Sequence, residues 1–158
     1  MAARRSRGGG RTKAQREFLS EAEELLERML SDLADLEDQG AEAGGDFDPD
    51  LVNGLFRSAH SLKGLAGMVG HEPISTLAHH LEDVLDALRL GRANLGAAMI
   101  EVLRESVAEF TEMLEGLGAA HAEAAAAEKV GSLVARIEAA CQGDAEPECS
   151  LSELDLDP

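Results

Sequence analysis

Asp48-Pro49-Asp50-Leu51-Val52-Asn53-Gly54-Leu55-Phe56-Arg57-Ser58-Ala59-His60-Ser61-Leu62-Lys63-Gly64-Leu65-Ala66-Gly67-Met68-Val69-Gly70 reads as one helix from start to stop. Pro49 suits the first helical position, where its missing N–H would have no intrahelical partner. Leu51, Val52, Leu55, Ala59, Leu62, Ala66 and Val69 recur at offsets that build a single apolar stripe. Gly70 closes the segment.

The same grammar extends in both directions. Upstream, Phe18, Ala22, Leu25, Leu26, Met29, Leu33 and Leu36 predict a first helix from about Thr12 to Asp38, ended by Gly40 and the Gly44-Gly45 pair. Downstream, a third helix starts after His71, with Pro73 in its first turn and Ile74, Leu77, Ala78, Leu81, Val84, Leu85 and Leu88 facing inward. Asn94 is the expected N-cap of a fourth, whose stripe is Met99, Ile100, Leu103, Val107, Phe110, Met113, Leu114 and Leu117. A weaker fifth covers about Ala122 to Gln142, with Val130, Leu133, Val134 and Ile137 as apolar positions. Long amphipathic helices on short loops pack antiparallel. The expected fold is all-α: an antiparallel four-helix bundle with an additional C-terminal helix. Residues 1–12 read as a flexible basic arm, 13–142 as the bundle, and 143–158 as an acidic flexible tail or linker.

Composition supports this class. Four Phe are the only aromatics, and Leu and Ala dominate the apolar set, which disfavours strands. The net charge is −17 over 158 residues. Residues 1–16 carry six basic side chains and no acid, so the remainder holds 8 basic against 31 acidic residues. Such an acidic body argues against nucleic acid or anionic lipid as its partner. No apolar run reaches the length of a membrane span, and the basic N-terminus lacks the apolar core of a secretory signal. Cys141 and Cys149 have no zinc-ligand spacing around them and fit a reducing cytoplasm, the expected compartment.

The chemistry sits on the second helix. At about 100° per residue, His60 lies roughly 140° from Leu55, off the buried stripe. Lys63 and Gly64 follow at i+3 and i+4 on the flank of His60. On the third helix His79 and Glu82 lie three apart, off the stripe of Leu77, Leu81 and Leu88. If the two helices are antiparallel neighbours, Glu82 reaches His60. A carboxylate on one ring nitrogen fixes the tautomer and makes the other nitrogen a better nucleophile. Lys63 can then offset charge on an attached phosphoryl group.

The run His60-Ser61-Leu62-Lys63-Gly64, continuing through Gly70, resembles the histidine phosphotransfer family. The subtype it most resembles is the N-terminal phosphotransfer domain of CheA-type chemotaxis kinases. Leu77-Ala78-His79-His80-Leu81-Glu82-Asp83-Val84-Leu85-Asp86 and the acidic first helix fit that subtype too. The resemblance covers roughly residues 15–142, with His71 standing where an aromatic is common. It implies a phosphorelay carrier with His60 as phosphoacceptor, Glu82 orienting the imidazole, Lys63 supporting the phosphoryl charge, and His79 as a possible support. Gly64 and Gly67 would leave room for the partner. The implied partners are a histidine kinase catalytic domain and a response-regulator receiver, with Magnesium held on the receiver's side. The carrier itself is expected to be a monomer without ATP site, cofactor or metal. The Met start and irregular tails fit a stand-alone carrier. A fragment of a CheA-like kinase is the alternative. A di-iron bundle would need two Glu-x-x-His motifs, and only one pair, in reversed order, is present. A pure docking bundle would not need His60, Lys63 and Glu82 together. Phe56 is read as packing, and His71, His80 and His121 as inert.

Overall fold

A computed structural model describes residues 12–43 and 47–156; most of the basic arm and the Gly44-Gly45 pair lie outside the described residues. Five helices and no strands are found among the described residues: α1 (Lys13–Ala43), α2 (Pro49–Val69), α3 (Glu72–Arg89), α4 (Ala97–Glu115) and α5 (Ala120–Leu156). The fold is the all-α helical bundle expected from the periodicity.

The stripes do the packing. Phe18, Ala22, Leu26, Met29, Leu33 and Leu36 of α1 join Val52, Leu55, Ala59, Leu62 and Ala66 of α2 in one continuous core, which all seven predicted α3 positions also enter. Burial of each large side chain contributes about 1.5–3 kcal/mol, and that sum is what holds helices of this length together. The most extensive contacts run α2 to α3 and α1 to α2, followed by α4 to α5 and α3 to α5. Of the helix pairs that touch, α3 and α4 touch each other least. α5 therefore lies along both of them, with Ala126, Val130, Leu133, Ile137 and Ala140 buried at helical spacing.

The turn between α2 and α3 sets the site. Gly70 adopts φ 73°, the left-handed conformation that only glycine takes cheaply. The Gly70 N–H donates to the Gly67 carbonyl, and the His71 N–H donates to the Ala66 carbonyl at 2.9 Å. This is the Schellman pattern, which satisfies carbonyls left open at the end of α2. His71 then starts α3: its Nδ1 accepts the Ile74 N–H at 3.2 Å from a buried position. A two-residue reversal of this kind forces α2 and α3 antiparallel.

His71 thus has a structural role, one that a residue read as inert did not announce. Its cap requires an unprotonated Nδ1. Burial lowers its pKa below the ordinary 6.5, against the opposing charge of Glu123. A native pKa below the unfolded value means that unfolding takes up a proton. The contribution is therefore present above pH 6.5 and lost as pH falls through the native value. His71→Asn keeps a capping oxygen without a titrating ring. It should flatten the acid-side loss of melting temperature between about pH 8 and about pH 5. His71→Ala should cost about 1 kcal/mol for the cap alone at neutral pH. Thermal melts of the three proteins check both outcomes.

Three boundaries differ from the sequence expectation. α1 continues to Ala43 instead of ending near Asp38. Asn94 does not cap α4; the N-cap is Gly96, with no side-chain bond. The buried side chains of Ala93 and Leu95 anchor the loop and delay the helix. α5 runs through Leu156, past the expected end at Gln142. Neither the acidic residues nor Pro147 sets its boundary.

Candidate functional site

α2 and α3 run antiparallel with a register read from two contacts. His60 faces Glu82, and two turns toward the start of α2, Asn53 lies 3.5 Å from Arg89. This register brings the predicted pair together. His60 Nδ1 is in a short hydrogen bond with Glu82 Oε2, and Lys63 Nζ donates to Glu82 Oε1 at 2.6 Å. One carboxylate thus holds both an imidazole and an ammonium, each arriving from α2 one turn apart.

The three groups differ in exposure, and the difference decides their roles. The His60 side chain is 66% exposed, Lys63 30%, and Glu82 only 9%. Glu82 sits in the seam between α2 and α3, not on an outward face as the sequence suggested, because α2 packs over that flank of α3. Burial pushes the Glu82 carboxyl up, but the hydrogen bonds and charges of Lys63 and His60 outweigh it and hold the pKa below the ordinary 4.5. Glu82 is therefore an anion at neutral pH. An anionic acceptor at Nδ1 puts the ring proton there, so the lone pair of neutral His60 resides on Nε2. Nε2 has no protein partner among the described residues.

Lys63 meets Glu82 as well as neighbouring His60 along α2. Its ammonium is on the carboxylate, where it helps fix Glu82, rather than free beside the ring. An ammonium has three donors, so charge remains available to a group carried by His60. His79 does not join the cluster. Its Nε2 lies 3.7 Å from Asp83, its ring meets His80 edge-on at 5.6 Å, and among the described residues it makes no hydrogen bond or ion pair with His60, Lys63 or Glu82. A Cβ built on Gly64 or Gly67 meets nothing within 4 Å, so both glycines leave open space on the exposed side of α2.

Phe56 packs against the core, as expected of it, and also reaches toward the site. Its ring lies parallel to His60, 6.5 Å centre to centre, and the Arg89 guanidinium lies over the Phe56 ring, 4.6 Å from its centroid. The guanidinium contact is a cation–π interaction. The sequence carried a signal for it: Phe56 is four residues before His60, and Arg89 is seven after Glu82. No group of three or more His, Cys, Asp or Glu positioned to hold a metal ion is found among the described residues. No helix among them is long and apolar enough to cross a membrane.

The bundle thus displays an exposed imidazole with one ring nitrogen held by a buried carboxylate and the other open. The Hpt domain family model matches residues 14–120, and the chain belongs to the Hpt domain family. Among curated proteins it is similar to the chemotaxis protein CheA of Treponema pallidum, 32% identical over 122 residues, covering 77% of this chain and 14% of that protein. It is also similar to CheA of Rhizobium meliloti, 37% identical over 89 residues, covering 56% of this chain and 11% of that protein. CheA of Bacillus subtilis is 31% identical over 100 residues, covering 63% of this chain and 14% of that protein. The chain thus spans about a seventh or less of these relatives' length. It is an Hpt phosphotransfer domain, a phosphocarrier, and its likeness to CheA lies in that region.

Proposed function

We propose that the chain accepts a phosphoryl group on Nε2 of His60 and passes it to an aspartate of a response-regulator receiver. The observation that carries this reading is the Glu82 carboxylate on Nδ1 of an exposed imidazole whose Nε2 has no protein partner among the described residues. In the loading step, the Nε2 lone pair attacks phosphorus, and an N–P bond forms as the P–O bond to the donor breaks. The electron pair of that bond leaves with the donor oxygen. The ring now carries positive charge, which the adjacent Glu82 anion stabilises without making a bond to phosphorus. Lys63 holds Glu82 in place and supports the phosphoryl charge. Discharge runs the same bond changes in reverse order, with a carboxylate oxygen as the new partner of phosphorus. ATP chemistry belongs to the kinase partner, and the setting is a cytoplasmic relay.

Incubation with radiolabelled ATP and the catalytic core of a CheA-type kinase tests this reading: label should appear on the chain and move to an added receiver. Glu82→Ala should slow loading on the order of tenfold to a hundredfold without abolishing it, because orientation and charge are lost while the nucleophile remains. Initial rates of labelling at matched concentrations check it; an unchanged rate would mean that Glu82 does not serve His60.

The CheA relatives favour a second form of the same reading, in which this chain is the phosphotransfer part of a CheA-like kinase. Efficient loading by a CheA-type core, with no loading from a phosphorylated receiver, would support that form. The opposite preference would support a separate carrier.

A further inference from the structure

Between Leu51 and Gly70 the chain holds no Asp or Glu, although 31 acidic residues are spread over the protein. From Leu51 on, α2 is therefore a basic strip on an acidic domain, and two cations supply it, Arg57 and Lys63. Lys63 is bonded to Glu82. Arg57 is exposed and makes no ion pair or hydrogen bond among the described residues. Arg89, Arg92, Arg104, Lys129 and Arg136 each sit within 4 Å of a carboxylate. An arginine that pairs with no carboxylate of the described residues contributes little to the packing of the bundle.

Its position points outward to a partner. Arg57 lies one turn before His60, and the exposed side of α2 runs through Arg57, His60, Ser61, Gly64, Gly67 and Met68. Met68 is 81% exposed, and the two glycines leave bare backbone between it and His60. A protein surface settling on this strip meets a guanidinium at one end and apolar surface at the other. The acidic remainder of the domain repels a negatively charged partner everywhere else, which orients its approach.

We propose that Arg57 is a docking residue for the receiver, pairing with a carboxylate on the acidic surface around the acceptor aspartate. This rests on the phosphocarrier reading above, since the receiver is the partner whose acceptor group is itself a carboxylate. A guanidinium suits the role because it offers a planar pair of donors to a carboxylate. As a contact at the rim of the site, it should act on encounter more than on the chemical step.

The test uses the full chain, Arg57→Glu and Arg57→Lys, each loaded to the same extent by a CheA-type catalytic core and freed of ATP. Transfer to a stand-alone chemotaxis receiver domain is followed over a range of receiver concentrations, at low and at high salt. Arg57→Glu should lower the bimolecular transfer rate about tenfold at low salt, and the gap should close to about twofold at high salt. Arg57→Lys should fall between, and the rate at saturating receiver and the melting temperature should be unchanged. Wild-type transfer by Arg57→Glu at low salt, or a deficit that ignores salt, would overturn the assignment. Failure of the wild-type chain to take label on His60 would overturn the phosphocarrier reading, and this inference with it.

Discussion

His60→Gln is expected to abolish labelling by any cognate kinase and to leave the helical fold intact. Glutamine offers no nucleophilic nitrogen at the position of Nε2. The fold should tolerate the change because the side chain is 66% exposed and its one hydrogen bond among the described residues is to Glu82. Glu82 keeps its 2.6 Å bond to Lys63, so no buried carboxylate is left alone. The change in stability should be within about 0.5–1 kcal/mol. Labelling and thermal melts on the same preparation check both parts. Label retained in this variant on His71, His79, His80 or His121 would sink the assignment of the phosphoacceptor.

The second large effect is expected at Gly64. A glycine inside a helix costs about 1 kcal/mol relative to alanine, so its presence one turn after His60 needs a reason. Close packing is one candidate, and the surroundings argue against it, because a Cβ at Gly64 meets nothing within 4 Å. Gly54 differs: a Cβ there would come within 2.5 Å of the Asp32 carboxylate on α1, which would have to shift. Access is the remaining explanation. Gly64→Ala should raise stability by about 1 kcal/mol and preserve much of the transfer. Gly64→Leu should keep or raise the melting temperature yet block transfer, since a branched side chain at i+4 stands over Nε2 and any partner docked on it. A fall in melting temperature together with the loss of transfer would favour packing instead.

Helix positions and the apolar faces were legible because they depend on spacing, which sequence carries directly. The meeting of His60 and Glu82 was legible by one further step, since a two-residue turn leaves α2 and α3 antiparallel. What escaped depended on tertiary distance. Lys63 could serve a phosphoryl group or a carboxylate, and only the height of Glu82 in the seam put its ammonium on the latter. Glu82 itself sits off the α3 stripe, so periodicity placed it outside, whereas α2 covers it. His79 shares that flank by spacing but leans to Asp83, four residues on. His71 as a cap depends on a rotamer that turns Nδ1 toward Ile74, and the fourth helix starts where Leu95 lets it rather than where Asn94 could cap it.

The central claim is that Glu82 holds Nδ1 of His60 so that Nε2 carries the phosphoryl group. Nitrogen-15 and phosphorus NMR of the labelled protein, phosphorylated and kept near neutral pH because the N–P bond is acid-labile, reads the position directly. One phosphohistidine is expected, at His60, with phosphorus coupled to Nε2 and the proton retained on Nδ1. Phosphorus on Nδ1, or on any other histidine, would contradict it.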